Sequence, residues 1–265
     1  MQKKRTLSQI FCDCTGVRRK RRGDCCLRVT TIPIHTPDLA IYGQEEEVLF
    51  GRQPTWNNPD ITTNDWGPFR LMEAVQIRIT NRSAKANAAN GLVNLYVGPF
   101  GIGMPLILNS IQRVNITRGN AVELAFPVEA SLRTGDTQRL SFKVVIQHPY
   151  DSNPVNNQGS QCIDGRQTSL HGRHFTVDIP VRNPHPAARR RIHLQVIPGD
   201  LTASINWDNH EFAPLEEKNV RLDVTIPDRL RETEDSSNKY PVTVIATYDG
   251  NILLGGATII GRVDS

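Results

Sequence analysis

Val220-Arg221-Leu222-Asp223-Val224-Thr225-Ile226, closed by Pro227-Asp228, is the stretch that decides the fold. Val220, Leu222, Val224 and Ile226 take every second position, with polar or charged residues between them. Side chains of an extended chain alternate between two faces, so this spacing puts one face in a core and the other in water. Pro227 then ends the run, because proline has no N–H to give a ladder, and Asp228 favours a turn.

The same period recurs outward from this stretch. Downstream, Pro241 to Tyr248 and Leu253 to Val263 form two apolar runs joined at Asp249-Gly250-Asn251, and Asp-Gly between such runs marks a hairpin. Upstream, Phe175, Val177, Ile179 and Val181 alternate up to Asn183-Pro184. Ile192 to Val196 is stopped by Pro198-Gly199, and Ile205 and Trp207 share a face. Further upstream come Val75, Ile77 and Ile79, then Val93 to Val97 before Gly98-Pro99, then Val122, Leu124 and Phe126, then Leu140, Phe142, Val144 and Ile146. After residue 30 no 3.6-residue apolar pattern lasts a dozen residues, and the charged stretch 228–237 reads as loop. An all-β chain follows, its strands spaced as in a sandwich.

Residues 150–173 interrupt the pattern with Asn, Gly, Ser and Gln. The predicted division is a basic, cysteine-bearing arm at 1–30, a β-sandwich at 31–155, a linker at 156–173 and a second β-sandwich at 174–265.

Two groups of motifs carry a resemblance. In the second half, "FTVDIPVRN" at 175–183, "IHLQVIPGDLTASINW", "FAPLEEKNVRLDVTI" at 212–226 and "YPVTVIATYDGN" resemble bacterial Ig-like modules associated with secreted glycosidases and S-layer proteins. Their usual turn glycine is absent from Phe212-Ala213-Pro214-Leu215-Glu216. In the first half, Asn58-Pro59-Asp60-Ile61, the strand ending Ile79-Thr80-Asn81, and Asn153-Pro154-Val155-Asn156-Asn157 are similar to the bacterial cell-adhesion-related Ig-like family. The resemblance implies two tandem immunoglobulin-like β-sandwiches with a spacer, adhesion or interaction role. It brings no catalytic residues and no ligand.

Charge is unevenly distributed along the 265 residues. The formal net charge is +4, but nine of the 31 Lys and Arg residues lie in 1–28, leaving 22 basic against 25 acidic residues in the rest. A nucleic-acid role therefore attaches to the arm alone, through Arg18, Arg19, Lys20, Arg21 and Arg22. No stretch approaches the ~20 apolar residues of a membrane span. Lys3, Lys4 and Arg5 are not followed by the apolar run of a Sec-type signal, so the expected location is the cytoplasm, non-classical export or a larger assembly.

Candidates for chemistry are few. Cys12, Cys14, Cys25 and Cys26 lie within 15 residues and can be free thiols, a zinc site, disulfides or, beside the basic run, lipidated anchors. The Cys-x-Cys and Cys-Cys spacings are awkward for zinc, since backbone amides cannot turn onto the sulfurs. There is no Gly-x-Ser-x-Gly, no His-Glu-x-x-His and no phosphate loop, and no cofactor is expected. Trp56 and Trp66, in the Pro54–Pro68 stretch, are candidates for loop aromatics that contact a partner or stack on sugar. Arg189, Arg190 and Arg191 form a second basic cluster suited to an acidic partner or to guarding a sheet edge. The reading favoured is a non-catalytic structural or interaction protein with protein partners. A carbohydrate-binding accessory module is the alternative, and an enzyme with a loop-built site ranks third.

Overall fold

The computed structural model describes residues 6–10, 29–33, 35–63, 74–129, 139–168, 174–227, 239–249 and 252–263. Two strands come first, β1 (Thr6–Ile10) and β2 (Val29–Pro33), paired antiparallel with Ile10 opposite Val29. The body begins with β3 (Leu39–Ala40), the six-residue helix α1 (Gln44–Leu49) and β4 (Ile61–Thr63). It continues with β5 (Ala74–Asn81), β6 (Ala88–Pro99), β7 (Ile107–Ile116), β8 (Ala121–Pro127) and β9 (Leu140–Gln147). Then follow β10 (Gln158–Thr168), β11 (His174–Arg182), β12 (Arg190–Ile197), β13 (Thr202–Ile205) and β14 (Asn209–Phe212). The last three are β15 (Glu217–Thr225), β16 (Lys239–Tyr248) and β17 (Ile252–Val263).

The strands form two sandwiches whose alternating residues meet across each core. In the first, β5 pairs β8 so that Val75, Ile77 and Ile79 lie opposite Phe126, Leu124 and Val122. These pack on Val93, Leu95 and Val97 of β6 and Phe142, Val144 and Ile146 of β9. In the second, β11 pairs β15 with Phe175, Val177 and Ile179 opposite Val224, Leu222 and Val220, and this sheet packs on Ile192, Val242, Val244 and Ile259. Opposed apolar pairs of this kind are the unit of sheet stability. β5, β6, β7, β8, β9 and β10 correspond in order and pairing to β11, β12, β14, β15, β16 and β17. The paired strands β5–β8, joined by β3 and β4, and β11–β15, joined by β13, each face four strands of the larger sheet, and this crossing order is the immunoglobulin-like arrangement.

Each half is also pinned by a buried asparagine at the same place. Asn81 ends β5 and Asn183 follows β11, and neither is exposed. Nδ2 of Asn81 donates to Ala86 O (2.9 Å) and Ile116 O (3.2 Å), while Ser83 N donates to its Oδ1 (3.2 Å). Nδ2 of Asn183 donates to Ala188 O and Ala213 O (both 2.9 Å), and His185 N donates to its Oδ1 (3.0 Å). The offsets are identical, to the carbonyl five residues on and the amide two residues on. Buried amides persist only where their hydrogen bonds are met, so this side chain fixes the exit of the strand.

The segment expected as a linker differs from that expectation. Gln158–Thr168 are β10, which pairs antiparallel with β9 and parallel with β17. One eight-stranded sheet therefore runs β14-β12-β16-β17-β10-β9-β6-β7 through both halves. β10 lacks apolar alternation because polar groups line its slot. Ser160 N donates to Gln44 Oε1 (3.0 Å), and Gln44 Nε2 donates to Ser160 O (2.7 Å). Register also fixes the faces. Phe142, in the first core, is opposite Gln161, whereas Asp164 on the other face of β10 is beside Ile259, in the second core. The two cores thus occupy opposite faces of the shared sheet.

Candidate interaction site

The tryptophan expected on an exposed loop is corrected by the structure. Trp56 is 3% exposed. Its N–H donates to Thr258 Oγ1 (2.9 Å) on β17, and its carbonyl accepts from Cys162 N (3.0 Å) on β10. The ring lies on Gly256, where a β-carbon would fall 2.5 Å from two ring atoms. Residues 55–58 therefore cross the junction of the halves, and Trp56 covers the second half's sheet. It is not available to a partner or a sugar. The signal that marks it is Gly255-Gly256 inside an apolar strand, since glycine there announces a close approach. Ile102 makes a second crossing: its N–H donates to Pro180 O (2.8 Å), its carbonyl accepts from Arg182 N (2.9 Å), and its side chain joins the second core. The Gly98–Gly103 segment thus docks one half on the other.

Several sequence candidates lie outside the described residues: Trp66, Cys12, Cys14, Cys25, Cys26 and the run Arg18 to Arg22. Of the five cysteines only Cys162 is described. It is buried under a bond from Ser141 Oγ (3.1 Å), and burial pushes its thiol up to about 11. A protonated, enclosed thiol is inert. No group of three or more His, Cys, Asp or Glu suited to a metal occurs among the described residues, and no described helix is long and apolar enough to cross a membrane.

The second basic cluster sits at the start of β12, and its members diverge. Arg190 Nη1 pairs with Asp249 Oδ2 (2.5 Å), and its guanidinium lies 5.6 Å from the Tyr248 ring centre. Arg189 reaches Glu211 (3.5 Å) at the surface, and Arg191 is exposed. Alternation along β12 sends Arg190 to one face and Arg191 to the other. Only Arg190 lines a cleft of about 250 Å³, shared with Asn183, Pro184, His185, Pro186, Ile192, Tyr248 and Leu254. The cleft opens between the loop after β11 and the β16–β17 hairpin. His185 Nδ1 accepts from Ala187 N (3.1 Å) and Ala188 N (2.8 Å), which leaves the ring proton on Nε2.

A further surface was not visible as alternation. β7 is the terminal strand of the shared sheet and exposes Ile107 (56%), Leu108 (49%) and Ile111 (53%). A shift of register between Leu95 and Tyr96 inserts one extra residue into β7. Its apolar residues change face there, and the period of two is lost. Asn109 Nδ2 and Gln112 Nε2 donate to Pro127 O (3.0 Å) and Ala125 O (2.7 Å) of β8, tying β7 to the opposite sheet. Val48, Leu49 and Phe50 make a second exposed apolar patch at the end of α1.

No family model matches the chain, and no curated protein matches it in sequence. Among solved structures, it is similar to a protein of unknown function from Porphyromonas gingivalis W83, at 13% identity and TM-score 0.28 over 76% of this chain and 96% of that one. It is similar to red sea bream transglutaminase at 10% identity and TM-score 0.27, over 84% of this chain and 33% of that one. It is also similar to the CupB6 tip adhesin from Pseudomonas aeruginosa at 8% identity and TM-score 0.24, over 87% of this chain and 99% of that one. The immunoglobulin-like assignment rests on this chain's own strand order.

Proposed function

We propose that this chain is a non-catalytic structural and interaction protein, a double immunoglobulin-like body that presents surfaces to a protein partner in adhesion or assembly. The motif resemblances to bacterial adhesion-related, glycosidase-associated and S-layer-associated modules support this reading. The observation that carries it is the exposed pair Leu108 and Ile111, which the inserted residue puts on one face of the outermost strand of the shared sheet, with Ile107 exposed at the same edge. Large aliphatic side chains grouped on a sheet edge are suited to partner contact. The carbohydrate alternative loses Trp56, which is buried. The test is capture of partners from the native host with wild type and with Leu108→Lys/Ile111→Lys. Both positions are exposed, so the β-sheet circular dichroism should be unchanged while the recovered partner is lost. Equal recovery by the folded double variant refutes the role of β7.

A further inference from the structure

We propose that the cleft between the loop after β11 and the β16–β17 hairpin binds an organic carboxylate carried on a compact apolar body. Volume, walls and hydrogen-bond inventory each narrow the ligand. A cleft of about 250 Å³ holds one ring or one branched aliphatic chain with a small polar head. Pro184, Pro186, Leu254 and the Tyr248 ring supply apolar walls.

The open polar side chains of the lining are chiefly donors. Asn183 has spent its side chain on Ala188 O, Ala213 O and His185 N. His185 keeps an unbound Nε2–H because its Nδ1 already accepts two backbone amides. Among the described residues Arg190 uses only Nη1, on Asp249, which leaves further guanidinium N–H groups for a second acceptor. The Tyr248 hydroxyl has no partner among the described residues, and it alone of these groups can also accept. A lining of donors around one guanidinium, inside apolar walls, is complementary to an anionic acceptor with an apolar body. A carboxylate matches the planar fork of Arg190 better than a hydroxyl does, because it can take two parallel N–H bonds.

Asp249 already supplies a carboxylate to that fork, so it competes with the ligand. Asp249 has φ +47°, a conformation that asparagine also tolerates. Asp249→Asn therefore removes the competing charge without backbone strain.

The experiment is an NMR titration of the full chain with benzoate, with N-acetyl-leucine, and with a short peptide ending in leucine as its free acid and as its amide. Wild type should show saturable shifts confined to Pro184, His185, Arg190, Tyr248 and Leu254. Asp249→Asn should tighten binding several-fold, Arg190→Gln should weaken it at least tenfold, and Tyr248→Phe should weaken it a few-fold with the fold intact. Saturation by the small acids alone assigns the site to free organic acids, and saturation by the free-acid peptide alone assigns it to a chain terminus; both support the proposal. Equal binding of peptide acid and amide, no saturable binding, or weaker binding by Asp249→Asn overturns it.

Discussion

Replacing Trp56 by Ala tests the junction between the halves. The ring is 3% exposed and lies on Gly256. An aromatic side chain of this kind buries about 150–250 Å², which at about 25 cal/mol per Å² corresponds to about 4–6 kcal/mol. That is an upper value, because the unfolded chain already hides part of the ring. Measured losses for Trp→Ala in cores run at about 3–5 kcal/mol. The bonds to Thr258 Oγ1 and from Cys162 N use the backbone of Trp56 and survive the truncation. The expected loss is therefore about 4 kcal/mol, all of it from packing. Urea unfolding followed by far-UV circular dichroism reads it directly. With m of about 3 kcal/mol/M, the midpoint should fall by more than about 1 M. Trp56→Phe should recover part of the loss. A loss below about 1 kcal/mol, the size of an ordinary surface change, refutes the burial of Trp56 and restores the loop as a binding surface. A transition that splits in two, with the second half unaffected, refutes the shared contact.

Three more outcomes are expected. Asn81→Ala and Asn183→Ala should each cost about 3 kcal/mol by chemical denaturation, since each orphans buried backbone groups; a cost under about 0.5 kcal/mol would show that the strand exits do not need the amide. Cys162 should resist alkylation at neutral pH in the native state and react on unfolding, read by mass spectrometry of its own peptide, because burial holds its thiol up at about 11. Limited proteolysis should spare 158–168, where β10 pairs first with β9 and then with β17, and early cleavage within that stretch would contradict the continuous sheet.

Legibility followed periodicity. β5, β11 and β15 each bury one face along a strand of eight or nine residues, so Val75, Ile77, Ile79, Phe175, Val177, Ile179, Val220, Leu222 and Val224 announce both their strands and their cores. β7 and β10 were hidden for two different physical reasons. In β7 an inserted residue turns the apolar side chains from one face to the other, so Ile107, Leu108 and Ile111 match no single period. In β10 the backbone of Ser160 is met by the side-chain amides of Gln44 and Asn58, and a strand satisfied in this way needs no apolar stripe.

The misplacement of Trp56 has the same root, and it explains why the halves merge. A strand pattern reports which face is buried, but not against which chain segment. Gly256 could be read as a weak point in β17, yet its bare backbone is what lets the Trp56 ring lie flat on the sheet. Thr258 Oγ1 accepts from Trp56 N and hydrogen-bonds with the hydroxyls of Thr55 and Thr243, and so links three segments at one atom. Ile102 adds a two-way backbone bridge to Pro180 and Arg182. These contacts are built from glycine, threonine and a turn, residue types that read as surface in a sequence. They also reach the β16–β17 hairpin, where Ile102 and Gly103 lie against Gly255 and Leu254 beside the cleft around Arg190, while β7 is the strand at the far edge of the same continuous sheet. A ligand in the cleft and a partner on β7 are therefore joined by one segment, Gly98–Gly103, which packs beside Leu254 at the cleft and leads directly into Ile107 of β7.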